Sequence, residues 1–334
     1  MDTEVLEYGA RSVSKAVELL RRGQLVAIPT ETVYGLAANA LDENAVRNIF
    51  KAKGRPQDNP LIVHISSIRM LPPLVREIPE TAMRLAESFW AGPLTMIFPK
   101  SDKIPSVTSG GLDTVAVRMP ESEAARAIIK QCGFPLAAPS ANLSGKPSPT
   151  SAAHVFEDMN GKIPLIVDGG ECAVGVESTV VCFRDDVIRV LRPGGITAEM
   201  LAEFGCVEVD KAVTAQPEKG ERVLSPGMKY KHYSPKADVY IVNAHGEKFR
   251  EYCVKRSRYE KNLIALGAGV PEEGVFLDYG DVPEKQARRL FSLLRKADDL
   301  QAKTVLVEIP EQSGVGLAVY NRLLRAAAFR IVEV

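Results

Sequence analysis

Net charge is the first thing this sequence lacks, because its 42 basic and 42 acidic residues cancel. That argues against a nucleic-acid binder that works by bulk charge and leaves room for a local basic patch. Cysteine is scarce and scattered: Cys132, Cys172, Cys182, Cys206 and Cys253 form no CxxC pair. That odd set argues against a disulfide framework or a zinc ribbon and fits a reduced cytosol. No apolar run approaches the roughly 18 residues that span a bilayer, and no apolar signal core follows Met1, so a soluble cytoplasmic protein with no membrane partner is expected. The usual nucleotide signatures are also missing, with no GxxxxGK[ST] loop, GxGxxG fingerprint or HExxH cluster. Any nucleotide must be held another way, and no set of protein metal ligands is expected.

What is present is a chain of 334 residues, long enough for two cores. Helical and strand periods alternate over about the first two hundred residues, which predicts a layered α/β domain. Helices are expected over Ser12 to Arg22, Asp42 to Lys53, Glu80 to Trp90, Ser122 to Gln131, Ser151 to Met159 and Ala198 to Phe204. Strands are expected at Leu25 to Pro29, Leu61 to Ile65, Leu94 to Phe98, Val115 to Met119, Leu136 to Ala138 and Leu165 to Asp168. Thr179 to Phe183 and Val187 to Leu191, joined by Asp185-Asp186, read as a hairpin and imply a mixed sheet. The composition shifts between about Val213 and Pro235, where Ser225-Pro226-Gly227-Met228-Lys229-Tyr230-Lys231-His232-Tyr233-Ser234-Pro235 reads as a linker rich enough in aromatic and basic groups to cover a site. Beyond it, four short apolar strands alternate with Glu284 to Asp298 and Leu317 to Ala328, predicting a small second α/β domain.

Four stretches fall at predicted strand ends, where open α/β sheets place ligands. Lys51-Ala52-Lys53-Gly54-Arg55-Pro56 sets three cations in five positions, as an anion site or as an ordinary helix C-terminus ending at Gly54. Asn59-Pro60 and His64 follow, and His64, alternating with Ile62 on a strand-like run, reads by itself more readily as a structural histidine than as a site group. Pro29-Thr30-Glu31-Thr32-Val33-Tyr34-Gly35-Leu36 offers hydroxyls, a carboxylate and a phenol. Pro139-Ser140-Ala141-Asn142-Leu143-Ser144-Gly145, with Ser148 after it, can wrap phosphate or ribose oxygens or simply cap a helix. Val176-Glu177-Ser178-Thr179 and Arg192-Pro193-Gly194-Gly195 bracket the hairpin, and Arg118 ends another strand. Cations gathered in this way repel one another unless an anion offsets them, which suggests a cleft for a triphosphate and a carboxylate.

In that order, Pro-Thr-Glu-Thr-x-Tyr-Gly-Leu, Lys53-x-Arg55, Ser140-x-Asn142 and Ser-Pro-Gly-Met-Lys-Tyr-x-His-Tyr-x-Pro resemble the YrdC/Sua5 family of threonylcarbamoyl-AMP synthases, in its two-domain form. The resemblance implies that L-threonine, bicarbonate and ATP, with Mg²⁺ on the phosphates, give L-threonylcarbamoyladenylate and pyrophosphate. A downstream transferase complex would then use the product on adenosine 37 of tRNA. It implies a catalytic domain over residues 1–205 with a twisted mixed sheet around a deep basic cavity, a covering linker over 206–236, and a Rossmann-like domain over 237–334. Carried to matching positions, Thr32, His64, Arg118, Ala138 and Ser178 would surround threonine, with Arg118 meeting its carboxylate. Arg55, Asn59, Ser140, Asn142, Ser148, Arg192, Tyr233 and Ser234 would surround ATP. Lys53 and Arg55 would be the catalytic cations, Lys53 steadying phosphates or carbamate. Two other classes compete: a double-stranded RNA module using the same cations, and a carbamoyl transferase of the hydrogenase-maturation kind, which would carry extra cysteine pairs.

Overall fold

The structure, a computed structural model, describes residues 2–185, 187–216, 232–270 and 273–334. The turn residue Asp186 and the stretch from Ser225 to Lys231 lie outside the described residues. The first half contains β1 (Glu4–Glu7), α1 (Ala10–Arg21), β2 (Val26–Ile28), β3 (Gly35–Asn39), α2 (Glu43–Lys53), β4 (Ile62–His64), α3 (Glu80–Phe89) and β5 (Leu94–Pro99). It continues with β6 (Thr114–Arg118), α4 (Glu123–Cys132), β7 (Leu136–Ala137), α5 (Ala152–Met159), β8 (Leu165–Asp168), β9 (Thr179–Arg184), β10 (Val187–Arg192), α6 (Ala198–Ala202) and β11 (Cys206–Val209).

Local chemistry accounts for the helix bounds. The carboxylate of Asp42 accepts the N–H groups of Asn44 and Ala45, Ser122 caps α4 through Ala125 N–H, and Ser151 caps α5 through His154 N–H. Gly54 closes α2 in the left-handed region at φ 63°, so the helix ends where the cationic run begins to turn away. All these strands join one 11-stranded sheet of order β1-β8-β2-β3-β7-β4-β6-β5-β9-β10-β11. It is mixed: β9 and β10 pair antiparallel, while β4 and β6 pair parallel. The run after Pro29, read from sequence as a polar loop, instead turns within a few residues and returns as β3, antiparallel to β2. Gly-Leu-Ala-Ala-Asn has little strand propensity of its own, and its pairing to β2 and β7 on both sides decides its state.

The second half holds β12 (Asp238–Asn243), α7 (Gly246–Ser257), β13 (Leu263–Gly267), β14 (Phe276–Asp278), α8 (Pro283–Asp299), β15 (Thr304–Glu308), α9 (Gly314–Ala326) and β16 (Ile331–Glu333). Its sheet is five-stranded and entirely parallel, in the order β14-β13-β15-β12-β16. This order departs from the Rossmann arrangement: with β12 counted first it runs three-two-four-one-five, whereas the doubly wound order keeps one beside two. The difference arises because β15 inserts between β12 and β13. At the C-terminal ends of these strands the buried Glu308 accepts N–H bonds from Gly246 at 2.9 Å and Ala268 at 2.7 Å, so a side-chain carboxylate sits at the start of α7.

The halves pack on each other through α8 and α9. The apolar cluster of the second half takes in Val33, Val176 and Tyr233 together with Phe291 and Leu294 of α8. Arg295 donates to Pro147 O at 2.6 Å and Asp158 Oδ2 at 2.8 Å, and Arg288 donates to Ala173 O at 3.0 Å. Gly175, at φ 79°, lies so close to α8 that a Cβ would meet Arg288 Cα at 2.4 Å and Ala287 O at 2.6 Å. A Gly175→Ala substitution should therefore force α8 outward and strain the backbone, lowering stability by about 1–3 kcal/mol. Calorimetric melting checks this, and a midpoint unchanged from the parent would show that the loop yields.

Candidate functional site

The cavity lies between the β2–β3 turn, the ends of β4, β6 and β10, and the loop after β7. Its lining includes Thr30, Thr32, Arg55, His64, Arg118, Ala138, Ser140, Glu177, Ser178, Arg192, His232 and Tyr233.

The β2–β3 turn is built on Thr30, whose hydroxyl donates to Val33 O at 2.6 Å and accepts N–H bonds from Thr32 and Val33 at 3.2 Å. This holds Thr32 inward and fully buried. Tyr34 is wholly buried and donates to Gly170 O at 2.7 Å, tying the turn to the end of β8. Its phenol pKa is raised by burial and then by the nearby Asp168 carboxylate.

Arg118 is placed differently from a side chain waiting for a carboxylate. Its guanidinium donates to Glu31 Oε1 at 2.5 Å, Thr32 Oγ1 at 2.8 Å and Gly92 O at 3.3 Å. Both ends of the Arg118–Glu31 pair are almost entirely buried, and removing one partner of such a pair typically costs about 3–5 kcal/mol. The internal counter-charge is thus what allows a guanidinium at the end of a buried strand. Burial works to raise the pKa of Glu31, but the Arg118 charge and hydrogen bond outweigh it and leave the group below its ordinary value.

Lys53 also takes a role that sequence did not assign. It is 2% exposed, does not line the cavity, and donates to Ser140 O and Asn142 O at 2.5 Å and to Asn142 Oδ1 at 3.3 Å. These three acceptors match the three N–H bonds of an ammonium, while burial and then the neighbouring Arg55 charge push its pKa well below the usual lysine value. Asn142 likewise folds the loop, donating to Leu143 O at 2.9 Å and Lys146 O at 2.8 Å. Ser148 is turned to Glu177, donating at 2.5 Å, and Ser234 donates its N–H to Gly145 O at 2.9 Å. Asn59 is buried behind the lining. Lys53, Asn59, Asn142, Ser148 and Ser234 are therefore not among the lining residues, whereas Thr32, Arg55, His64, Arg118, Ala138, Ser140, Ser178, Arg192 and Tyr233 are.

Arg192 reaches Ser178 twice, at 3.0 Å to the carbonyl and 3.1 Å to the hydroxyl, and burial lowers its pKa to about 10. Tyr233, at φ 63°, stacks on Phe291 with ring centroids 5.3 Å apart, so the linker's exit is anchored on α8. Sequence reading did not single out Glu177 or His232, although both lay inside stretches it had marked. The signal for Glu177 was a lone acid between Val176 and Ser178 in an otherwise cationic set. Arg118 and Arg192 are buried, so a nucleic-acid duplex cannot lay its backbone against them.

Fold and site together define an α/β protein of two sheets with a cavity at its strand ends that Arg55, Arg118 and Arg192 help to line. Residues 18–194 match the family described as "Telomere recombination" (Sua5/YciO/YrdC), and residues 196–328 match the threonylcarbamoyl-AMP synthase C-terminal domain. The chain belongs to this Sua5/YciO/YrdC family. A threonylcarbamoyl-AMP synthase from Pyrococcus abyssi is 49% identical over 324 residues, covering 96% of this chain and 95% of that one. One from Bacillus subtilis is 43% identical over 342 residues, covering 99% and 97%. The crystal structure of P. abyssi Sua5 complexed with L-threonine superposes with a TM-score of 0.94 at 47% identity, covering 99% of this chain and all of that one.

The cavity histidines yield a pH test. Burial lowers His64 to about 3, helped by Arg118, and lowers His232 to about 3, helped by Arg55; burial lowers His154, behind the loop, to about 4. Between these values and the unfolded pKa near 6.5, the unfolded chain binds more protons, so stability rises with pH and is complete only above about 6.5. From pH 6.5 down to 5.5 each of the two buried cavity histidines, His64 and His232, should remove about 1 kcal/mol, a window lying above the carboxylate range. Urea midpoints for the parent and His64→Gln at pH 7 and 5.5 check this. The variant should lose one histidine's share of the slope, and equal slopes would show that His64 titrates normally in the fold.

Proposed function

We infer that the chain catalyses synthesis of L-threonylcarbamoyladenylate from L-threonine, bicarbonate and ATP, with release of pyrophosphate, as a nucleotidyltransferase. The observation that carries this reading is the convergence of Thr32, His64, Arg118, Ala138 and Ser178 with Arg55, Ser140 and Arg192 on one cavity, in a chain that matches synthases over nearly its full length.

The reaction needs threonine's amine to attack the carbon of bicarbonate, whose C–OH bond breaks as water is lost with an amine proton, and the resulting carbamate to attack the α-phosphate as pyrophosphate leaves. Every reacting partner is an anion, so the protein's task is to offset repulsion, align the atoms and exclude water from a labile carbamate. Arg55 and Arg192 are the cations on the wall whose charge is best placed for phosphates. Threonine would sit towards Thr32, Ala138 and Ser178, its carboxylate meeting Arg118 by sharing the edge now given to Thr32. His64, held neutral by burial, serves as a hydrogen-bonding wall. Lys53 steadies the Ser140–Asn142 loop and so acts on the ligand through it. Mg²⁺ would arrive as part of the Mg–ATP substrate. Among the described lining residues Glu177 is the one carboxylate, and its oxygens are already taken by Ser148 and Arg322, so the wall supplies no ready set of hard-cation ligands.

The cavity encloses about 70 Å³, far below the roughly 300 Å³ at the lower end of small-molecule pockets. ATP therefore requires the wall to open, and His232 and Tyr233 are the two lining residues that lie beyond β11 in the chain. The product would pass to a threonylcarbamoyl transferase acting on tRNA, in keeping with a deep basic cavity that holds the small reactants and leaves the RNA to others. Among the described residues no helix is long and apolar enough to cross a membrane.

With ATP, bicarbonate and single amino acids, pyrophosphate release should be strong with threonine. It should fall about 10- to 200-fold with serine, which lacks the methyl, and further with valine, which leaves hydroxyl-binding groups unpaired. Equal release with valine would refute the threonine assignment. Arg55→Ala and Lys53→Ala should both abolish turnover, but for separable reasons. Loss of Lys53 takes the ammonium from the backbone oxygens of Ser140 and Asn142 and should lower stability by about 1–3 kcal/mol, whereas Arg55→Ala should leave the melt close to the parent's. Paired melting and turnover assays check the distinction, and an unaltered melt for Lys53→Ala would return Lys53 to a direct role on the ligand.

A further inference from the structure

Glu177 is an anomaly in a cavity meant for anions. It lines the wall close to Ser178 and Arg192, and it is the one carboxylate among the described lining residues. Left alone, its charge would repel phosphate, bicarbonate and carboxylate alike, or would engage Arg192 and remove that cation from the ligand. Instead the fully buried Arg322, on α9 of the other domain, donates to Glu177 Oε2 at 2.9 Å. The same guanidinium donates to Glu177 O at 3.1 Å and to Pro193 O at 2.7 Å, so it bridges the two strand-end loops that carry Ser178 and Arg192. Asn321 Oδ1 accepts a further bond at 3.0 Å, and Ser148 holds the other carboxylate oxygen at 2.5 Å. Arg322 itself does not line the cavity.

We propose that Arg322 is a positioning residue for the synthase site, supplied by the second domain: it cancels the charge of Glu177 and so keeps the cavity wall cationic towards ATP. The second domain is then a component of the anion site. Arg295 offers a contrast within the same interface, since it pairs with Asp158 and Glu157, neither of which lines the cavity. An arginine that served domain docking alone would need no partner on the cavity wall.

The inference rests on the synthase reading for the identity of the anion, and its test uses equilibrium binding so that the two can fail separately. Mg–ATP binding to the full-length protein is measured by titration calorimetry for the parent, Arg322→Met, Glu177→Gln and the double variant, with a thermal melt of each. Arg322→Met should weaken ATP binding roughly tenfold or more, a typical size for coupling between sites. In the Glu177→Gln background the same substitution should change the dissociation constant by less than about threefold, because the charge it balanced is gone. Arg322→Lys, which keeps the charge but not the fork, should retain most of the affinity. Unchanged affinity in Arg322→Met overturns the proposal, as does equal weakening in both backgrounds, which would mark Arg322 as packing. Should Arg322→Met alone fail to melt cooperatively, Glu177→Gln is compared with the double variant, where no ionised partner is left behind; a difference beyond about threefold overturns the proposal. A parent that binds ATP yet releases no pyrophosphate with threonine refutes the synthase reading while leaving the Arg322 cycle to be decided by binding.

Discussion

A buried guanidinium needs a counter-charge before any ligand arrives, and much of this structure follows from that constraint. Arg118 meets it with Glu31, eighty-seven positions away, and the pair fixes the β2–β3 turn against β6. Arg322 meets it with Glu177, so the second domain is held by the same kind of bond that shapes the site. Each pair takes a charge out of water at considerable cost, which is offset only when hydrogen bonds satisfy the remaining donors. Both do so: Arg118 also uses Thr32 and Gly92 O, and Arg322 uses Pro193 O, Asn321 and Glu177 O.

The cations of the site consequently divide into those that hold protein and those that face the cavity. Lys53 belongs to the first kind, with its ammonium on backbone oxygens of the 140–142 loop. Arg55 and Arg192 line the cavity, Arg192 while also donating to Ser178. Removing the holders would not subtract a contact to the ligand; it would let the loops that carry Ser140, Ser178 and Arg192 move by the fraction of an ångström to which alignment is sensitive.

Much of the catalytic half was legible in its sequence. Asp42, Ser122 and Ser151 marked helix starts, Gly54 marked an end, and the Thr179–Arg184 and Val187–Arg192 pair announced itself as a hairpin. The strands that escaped notice, β1, β3, β11 and β16, are short edges or weak formers that exist because a neighbour pairs with them. The order of the second sheet was illegible for a related reason, since placing β15 between β12 and β13 is a matter of crossovers and leaves no local trace.

The sequence by itself determined where the polar loops would fall, at strand ends, and which residue types they would bring: hydroxyls at 30 and 32, cations at 53, 55, 118 and 192, an amide at 142. Periodicity and capping are local, so they survive in a one-dimensional reading. Only the tertiary structure decided which of those groups face the cavity and which stand behind it. Glu177 and Arg322 lie 145 positions apart, and nothing in the spacing of either predicts the other. Charge compensation in a buried site depends on distance in space, and that distance comes into being only when the two sheets are packed together through α8 and α9.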